Sequence, residues 1–587
     1  MIHYSLRKEN VGREYVVKWW EGKNTLMSRR TAMSMLTTGI LLWINLSGVS
    51  YANVKTTEAN PISSPVTVGI QGALAGPFLP YRSPDAIWHN LIDQQFAPIL
   101  HLGAKDQVEP EIVSTWWYSA NGKQLFLKIN PKAVWSDGQP VTASDIQLSI
   151  DYLSSPFYNS VYHGHQGYRV LPIVGSQAEM NGSASTVSGV HIISQQELSL
   201  TLKETNPSIL TQDLQGIIPV PSHLLAKVPF TAWSTNPVFR SPSVGDGPYL
   251  LVDQLPGQIV MDANTHFVLG VPTITTIRYL SILPSAVTGV YEAGGIDVLS
   301  GLTPAQANLF AKTGNVIKTP MNQYDFLGFD DQLPATDNRV FREALLYAIN
   351  REKIVDSILG GYATIQNGPI PTNSTYYDPA LTGQYAYAPQ TARDMLTKAG
   401  FYIASSSWLV TPSGHPITIV INYAQGDPNS RAVATQISND LQNIGINTSI
   451  EGPLTVQAMN QAIQNHDSST IQAYLMGWQL GADPSPTFLW SSTAQLNLAT
   501  MNWTDMSKPG VVQNQQLIAS EQSLPAQNSS VRQAMLRQWD DLINQSVPEE
   551  FLYEPDLLGV VSTRVTGVVW SGLYGPIDTW KWRLTQS

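Results

Sequence analysis

The chain has 587 residues, and 33 Lys and Arg stand against 44 Asp and Glu for a formal charge of -11. Apolar residues make up 43%, enough for large buried cores, which excludes a disordered or collagen-like chain. Charged residues are only 13%, about half the usual ~25%, so neutral polar side chains must cover the surface and no basic footprint for nucleic acid exists. The absence of cysteine removes disulfide frameworks, cysteine zinc sites, thiol nucleophiles and a lipid-modified N-terminal Cys.

Residues 1–52 carry seven basic side chains (Arg7, Lys8, Arg13, Lys18, Lys23, Arg29, Arg30), then an apolar centre at Ile40-Leu41-Leu42-Trp43-Ile44 and a small-x-small site at Ser50-Tyr51-Ala52. That order reads as a secretory signal cleaved after Ala52. Met27 before Ser28-Arg29-Arg30 is an alternative start, and an uncleaved anchor is the other reading of the apolar stretch. The mature protein is therefore expected outside the cytoplasm, periplasmic or otherwise extracytoplasmic, and not a lipoprotein. A low-charge surface also suits an acidic exterior, where carboxylates lose their charge.

Strand and helix signals then alternate. Val66–Ile70 and Leu125–Ile129 have strand periodicity, and Asp137-Gly138 is a turn. Thr142-Ala143-Ser144-Asp145 has capping-box form and opens a helix with Ile146, Ile150 and Leu153 on one face. Glu197–Leu202 and Tyr249–Val252 read as strands, and the polar stretch Ser176–Gly189 reads as a surface loop. The second half is more helical. Phe341, Ala344, Leu345, Ala348 and Ile349 share a face, Asn350 caps a helix stopped by Gly360-Gly361, and Pro389 opens a helix that Gly400 ends. Val433, Ile437, Leu441 and Ile444 form another helical face, stopped at Gly445 and followed by the strand Ile446–Ile450, the mark of α/β units.

Several segments taken in order carry a resemblance. They are Trp135-Ser136-Asp137-Gly138-Gln139-Pro140-Val141-Thr142-Ala143-Ser144-Asp145, Gly245-Asp246-Gly247-Pro248-Tyr249, Gly295-Ile296-Asp297-Val298 and Phe341-Arg342-Glu343-Ala344-Leu345 through Asn350-Arg351. Gly368-Pro369-Ile370-Pro371, Trp478-Gln479-Leu480-Gly481-Ala482-Asp483-Pro484-Ser485-Pro486 and Tyr553-Glu554-Pro555 follow. Together they resemble the family-5 extracytoplasmic solute-binding proteins of ABC importers, the oligopeptide- and dipeptide-binding type. Departures are Asp246 for Thr, Asn350 for Asp and Ser485 for the second Asp of the W-x-x-G-A-D-P-D-P loop.

The resemblance implies an α/β two-lobed periplasmic-binding-protein fold (type II, cluster C) with an additional inserted domain and an interlobe cleft. Lobe I would comprise 53–95, 191–319 and 546–587, the inserted domain 96–190, and lobe III 320–545. Chain crossings near Asn322 and Asn544 would form the hinge. Asp483 matches the carboxylate that receives a peptide's α-ammonium, and Trp478 the aromatic wall. Asn322, Gln323 and Tyr324 lie at the first crossing, where polar groups can meet a peptide backbone. Each position has a plainer alternative: Asp483 as an Asp-Pro turn residue, Trp478 as core, and Asn322–Tyr324 as an ordinary strand facing solvent. Asp137 and Gly138 are read as turn residues, and Arg342 and Arg351 as braces for helices. Asp483→Asn is expected to weaken peptide binding and leave the fold intact.

The sequence has no G-x-S-x-G elbow, H-E-x-x-H, phosphate-binding G-x-x-x-x-G-K-[ST] or G-x-G-x-x-G. His163-Gly164-His165 reads as a solvent loop rather than a metal site. The expected protein is a monomeric binding module without catalysis, cofactor, metal or nucleic-acid partner. It takes short peptides and delivers them to an ABC permease pair with its ATPase. A different solute on the same fold, such as an oligosaccharide or a nickel chelate, and a secreted hydrolase are the alternatives.

Overall fold

A computed structural model describes residues 65–585, apart from 75, 77, 82–85, 241–243, 313–314, 330–332, 466, 468–471 and 493–506. The segment 1–52, where the sequence suggests an export signal, lies outside the described residues. The strand Val66–Ile70 is the centre of lobe I, with four of its five residues buried. It pairs in parallel with Thr276–Ser281 on one side and Val298–Ser300 on the other. Gln258–Ala263 and Tyr249–Leu255 extend that sheet outward as antiparallel strands. In lobe III, Thr418–Ala424 pairs in parallel with Asn447–Leu454 and with Ala473–Gln479, and the helix Ser430–Asn443 makes the crossover between the first two. Gln323–Phe329 lies antiparallel to Ala473–Gln479.

One long strand, Glu550–Val561, joins the two halves into a single twelve-stranded sheet. Its start pairs with Gln323–Phe329, its middle with Ala363–Ile365, and its end with Asn315–Pro320 and Val298–Ser300. The side chains record the transfer. Phe551, Leu552 and Tyr553 pack into the lobe III cores, whereas Leu558, Val560 and Val561 pack into lobe I. The returning chain therefore crosses around Glu554–Asp556, not near Asn544. Asn544 sits inside the helix Ser529–Ser546, which ends on Val547 in a left-handed conformation before the strand begins. The outward chain crosses at Met321-Asn322, between Asn315–Pro320 and Gln323–Phe329.

The inserted region is built on a separate four-stranded sheet in the order Val113–Tyr118, Gln124–Ile129, Glu197–Thr201, Val190–Ser194. Its last two strands lie at and beyond residue 190, so a boundary at 190 would cut this sheet in half. Leu125, Leu127, Ile129, Leu198 and Leu200 all face a core shared with lobe I. The helix Ala143–Ser154 covers that core with Ile146, Ile150 and Leu153. Asp145 caps it by accepting from the Thr142 amide (2.6 Å), and it also accepts from the Ser222 amide (2.7 Å) and the Trp135 indole (3.3 Å). The Asp137 carboxylate accepts from its own turn at Gln139, and Gly138 has φ 85°, where only glycine is unstrained. Within Ser176–Gly189 a short helix, Ser176–Met180, replaces part of the expected loop.

Lobe III follows its sequence signals closely. Helices run Arg339–Ala348, Pro389–Lys398 and Ser430–Asn443, and Gly400 and Gly445 stop two of them at φ 90°. Arg351 donates to the carbonyls of Gln366, Phe551, Gln384 and Tyr385, and Arg342 to those of Val547 and Thr336. Both arginines brace the lobe, as their place in the helices implies. Among the described residues no helix is long and apolar enough to cross a membrane.

Candidate functional site

The period of two along Gln323–Phe329 and Ala473–Gln479 decides which side chains reach the lobe boundary. Leu327, Phe329, Ala473 and Leu475 face one core of lobe III, and Tyr324, Phe326, Tyr474 and Met476 face the other. Tyr324 stands opposite Trp478 in the register, on the face covered by the helices Pro509–Glu521 and Ser529–Ser546. Its ring is fully buried against Phe326 and Phe551, at 5.6 and 5.2 Å between centroids. The structure thus corrects the expectation for Tyr324, which is a core residue and offers no surface to a ligand. Trp478, nearer the strand end, is half-buried and packs on the same core.

Asn322 sits at the crossing itself. Its amide donates to Asp106 of the inserted region (2.6 Å) and to the Gly481 carbonyl (3.3 Å). Its side-chain oxygen accepts from Asn373 (3.1 Å), and its main-chain carbonyl accepts from Leu480 (2.7 Å). Asn322 therefore ties the chain crossing at Met321-Asn322 to the loop that carries Asp483. Burial pushes the Asp106 carboxyl up to about 6, with the Asn322 bond opposing the rise.

Asp483 is the centre of a buried charged cluster. Arg532, from the helix Ser529–Ser546, donates bidentately to it at 2.8 and 2.6 Å. The same guanidinium donates to Glu521 (2.8 Å from Nε) and to the Tyr376 hydroxyl (3.1 Å), over whose ring it lies at 5.2 Å. The three charged side chains are 0–3% exposed. Burial opposes the charge on Arg532, but the Asp483 and Glu521 carboxylates more than reverse that effect. Burial raises Glu521, with Arg532 opposing and Asp483 adding to the rise. Two acids on one base leave the cluster with a net negative charge when both are ionised.

The remaining acceptor positions of Asp483 are also filled. Oδ1 accepts from the Ser485 amide (2.9 Å), the Asx-type turn expected of an Asp-Pro loop. Oδ2 accepts from the hydroxyl of Thr211, which belongs to the lobe I side. Asp213, two residues further on, is pushed up to about 8 by burial, with Arg169 opposing and Asp483 adding to the rise. Asp483 thus stands where the two bodies meet, with Tyr376, Glu521 and Arg532 behind it and Thr211 in front. A further polar contact crosses the boundary where Gln527 donates to the Gly122 carbonyl at 3.2 Å.

The family model for bacterial extracellular solute-binding proteins, family 5 Middle, matches residues 107–499. The chain belongs to this family. A putative ABC transporter peptide-binding protein of Brucella ovis is 23% identical to this family-5 protein over 538 residues, covering 89% of this chain and 93% of the relative. Among solved structures, AppA of Bacillus subtilis in complex with a nonapeptide is 20% identical with a TM-score of 0.63, covering 89% of this chain and 99% of the other. The periplasmic murein tripeptide-binding protein MppA, in its unliganded open form, has 17% identity and a TM-score of 0.75, over 88% and 97% of the two chains. These likenesses establish the two-lobed fold of the family-5 protein.

Of the sequence-derived positions, Asp483 and Asn322 lie at the lobe boundary, Trp478 beside it and Tyr324 inside the core. Arg532, Glu521, Tyr376 and Thr211 were missed. Arg532 had a signal. It shares a helical stripe with Leu536, Trp539 and Ile543, and a charge on an apolar stripe requires a buried partner. Glu521 and Thr211 had none. Among the described residues no three His, Asp or Glu side chains gather in a metal-holding group.

Proposed function

We propose that this family-5 protein is the extracytoplasmic solute-binding component of an ABC importer, capturing short peptides between its lobes and delivering them to a membrane permease pair. A separate ATPase drives transport, the binding protein acts as a monomer without catalysis, and the N-terminal segment directs its export. The observation that carries the reading is the buried, net negative Asp483–Arg532–Glu521 cluster set at the lobe boundary beside the hinge residue Asn322. A peptide presents an α-ammonium and a row of backbone donors, and such a cluster receives the ammonium while excluding a carboxylate at the same point. Relatives named for peptides support the ligand class.

The presence of Arg532 changes the expected size of the effect. An incoming ammonium meets a partly neutralised cluster, not a lone carboxylate. Tryptophan-fluorescence titration with tri- to pentapeptides should give saturable binding, and N-acetylation of the peptides should weaken it by roughly ten- to a hundredfold. Equal affinity for free and acetylated peptides would remove the ammonium from the account.

A further inference from the structure

We propose that Thr211 is a built-in surrogate for the ligand: its hydroxyl holds the one acceptor position of Asp483 that faces the opposite body, and the ligand's donor replaces it on binding. The proposal rests on the reading of Asp483 as part of the ligand site. It goes further by naming the group that is displaced and the place the displaced proton goes.

The donor count around Asp483 carries the argument. Three of its four bonds come from lobe III: two from Arg532 and one from the Ser485 amide. Those donors are fixed, because Arg532 is held by Glu521 and Tyr376 as well and the Ser485 amide belongs to the loop itself. Of these four, only the Thr211 bond spans the boundary, joining residues 272 apart in sequence. It is therefore the only bond of this carboxylate that separating the bodies must break.

Thr211 loses little when that happens. Its hydroxyl also lies 3.1 Å from the carbonyl of Ser208, the residue that caps the start of its own helical segment Ile209–Asp213. A single proton can point either to Asp483 or to Ser208. Swinging back leaves no orphaned donor, while Oδ2 of Asp483 is left with an open position in a net negative cluster. An ammonium or amide N–H from a ligand completes that position. The Thr211 bond thus bridges the two bodies through a neutral donor on a charged acceptor, and a ligand ammonium substitutes a charged donor on the same acceptor.

Thr211→Val keeps the shape and removes the proton, and Thr211→Ser keeps the proton. The chain has no cysteine, so Ile192→Cys and Val456→Cys at exposed sites (44% and 47% exposed) supply a unique spin-label pair on the two bodies. Without ligand, Thr211→Val should widen the inter-label distance distribution and Thr211→Ser should match the wild type. With peptides, Thr211→Val should bind about three- to tenfold more tightly, because no hydroxyl competes. An unchanged distance distribution, or weaker peptide binding in Thr211→Val than in Thr211→Ser, would overturn the proposal. If neither wild type nor variant binds any peptide, the peptide reading fails, and the distance measurement alone decides on the bridge.

Discussion

Replacing Arg532 by Met should cost far more stability than replacing Asp483 by Asn, although the two side chains form one ion pair. Arg532 is in ion-pair contact with two buried acids, Asp483 and Glu521. Its removal leaves both carboxylates facing each other in a site that is 0–1% exposed at the acids. Breaking a buried pair from one side costs about 3–5 kcal/mol, and two stranded acids place this variant at the upper end. Asp483→Asn instead leaves Arg532 matched one-to-one with Glu521 and keeps an acceptor oxygen, so about 1.5–3 kcal/mol is expected. The earlier expectation that this variant leaves the fold untouched is thereby revised. Urea unfolding is the assay, followed by tryptophan fluorescence, to which the core residues Trp490 and Trp539, with ring centroids 5.8 Å apart, contribute. The pH dependence adds a second reading. In Arg532→Met the stranded carboxyls have folded pKa values above their unfolded ones, so the native state binds more protons and its stability falls as pH rises. The deficit should therefore be larger at pH 7 than at pH 4.5. A deficit that is equal in the two variants, or one that does not change with pH in Arg532→Met, would refute the charge count.

Burial pushes Asp93 and Asp213 up to about 8, Asp325 and Glu554 to about 7 and Asp106 to about 6. All five folded values lie above the unfolded ~4, so their contribution is fully present below about pH 4 and is lost as pH rises toward about 8. The urea midpoint of the wild type should accordingly be higher at pH 5 than at pH 8, and the reverse order would contradict these assignments. Asp145→Ala strands the Thr142 and Ser222 amides and the Trp135 indole. It should lower stability by about 1–3 kcal/mol in chemical denaturation while leaving peptide affinity unchanged. Gly559 lies on the joining strand where an added Cβ would meet the Trp570 ring at 2.0 Å and the Leu299 carbonyl at 2.8 Å. Gly559→Ala should cost roughly 1–3 kcal/mol of stability, and a neutral result would show that Trp570 can move aside.

Local signals in the sequence were legible because local physics decides them. The Thr142–Asp145 cap, the glycine stops at 400 and 445 and the strand Val66–Ile70 appear where side-chain chemistry and periodicity put them. Long-range pairing was not legible. The second crossing depends on which strands each half of Glu550–Val561 joins, and although Glu554-Pro555-Asp556 interrupts its apolar residues there, that break does not name the partner on either side. The inserted sheet closes through Val190–Ser194 and Glu197–Thr201, and sequence order alone does not reveal that pairing. Tyr324 had a polar tip that suited a ligand, but its place in the alternation turned it inward. Asp483 was marked by its loop, whereas the arginine that neutralises it lies 49 residues away on a helix.

Peptide capture is the central claim, and native mass spectrometry of the full chain purified from an exported source tests it most directly. The account predicts a set of heterogeneous added masses that fragment as short peptides, lost on mild unfolding and regained when the refolded protein is mixed with di- to pentapeptides. A single discrete non-peptide mass, or a protein that takes up no peptide from that mixture, would contradict it.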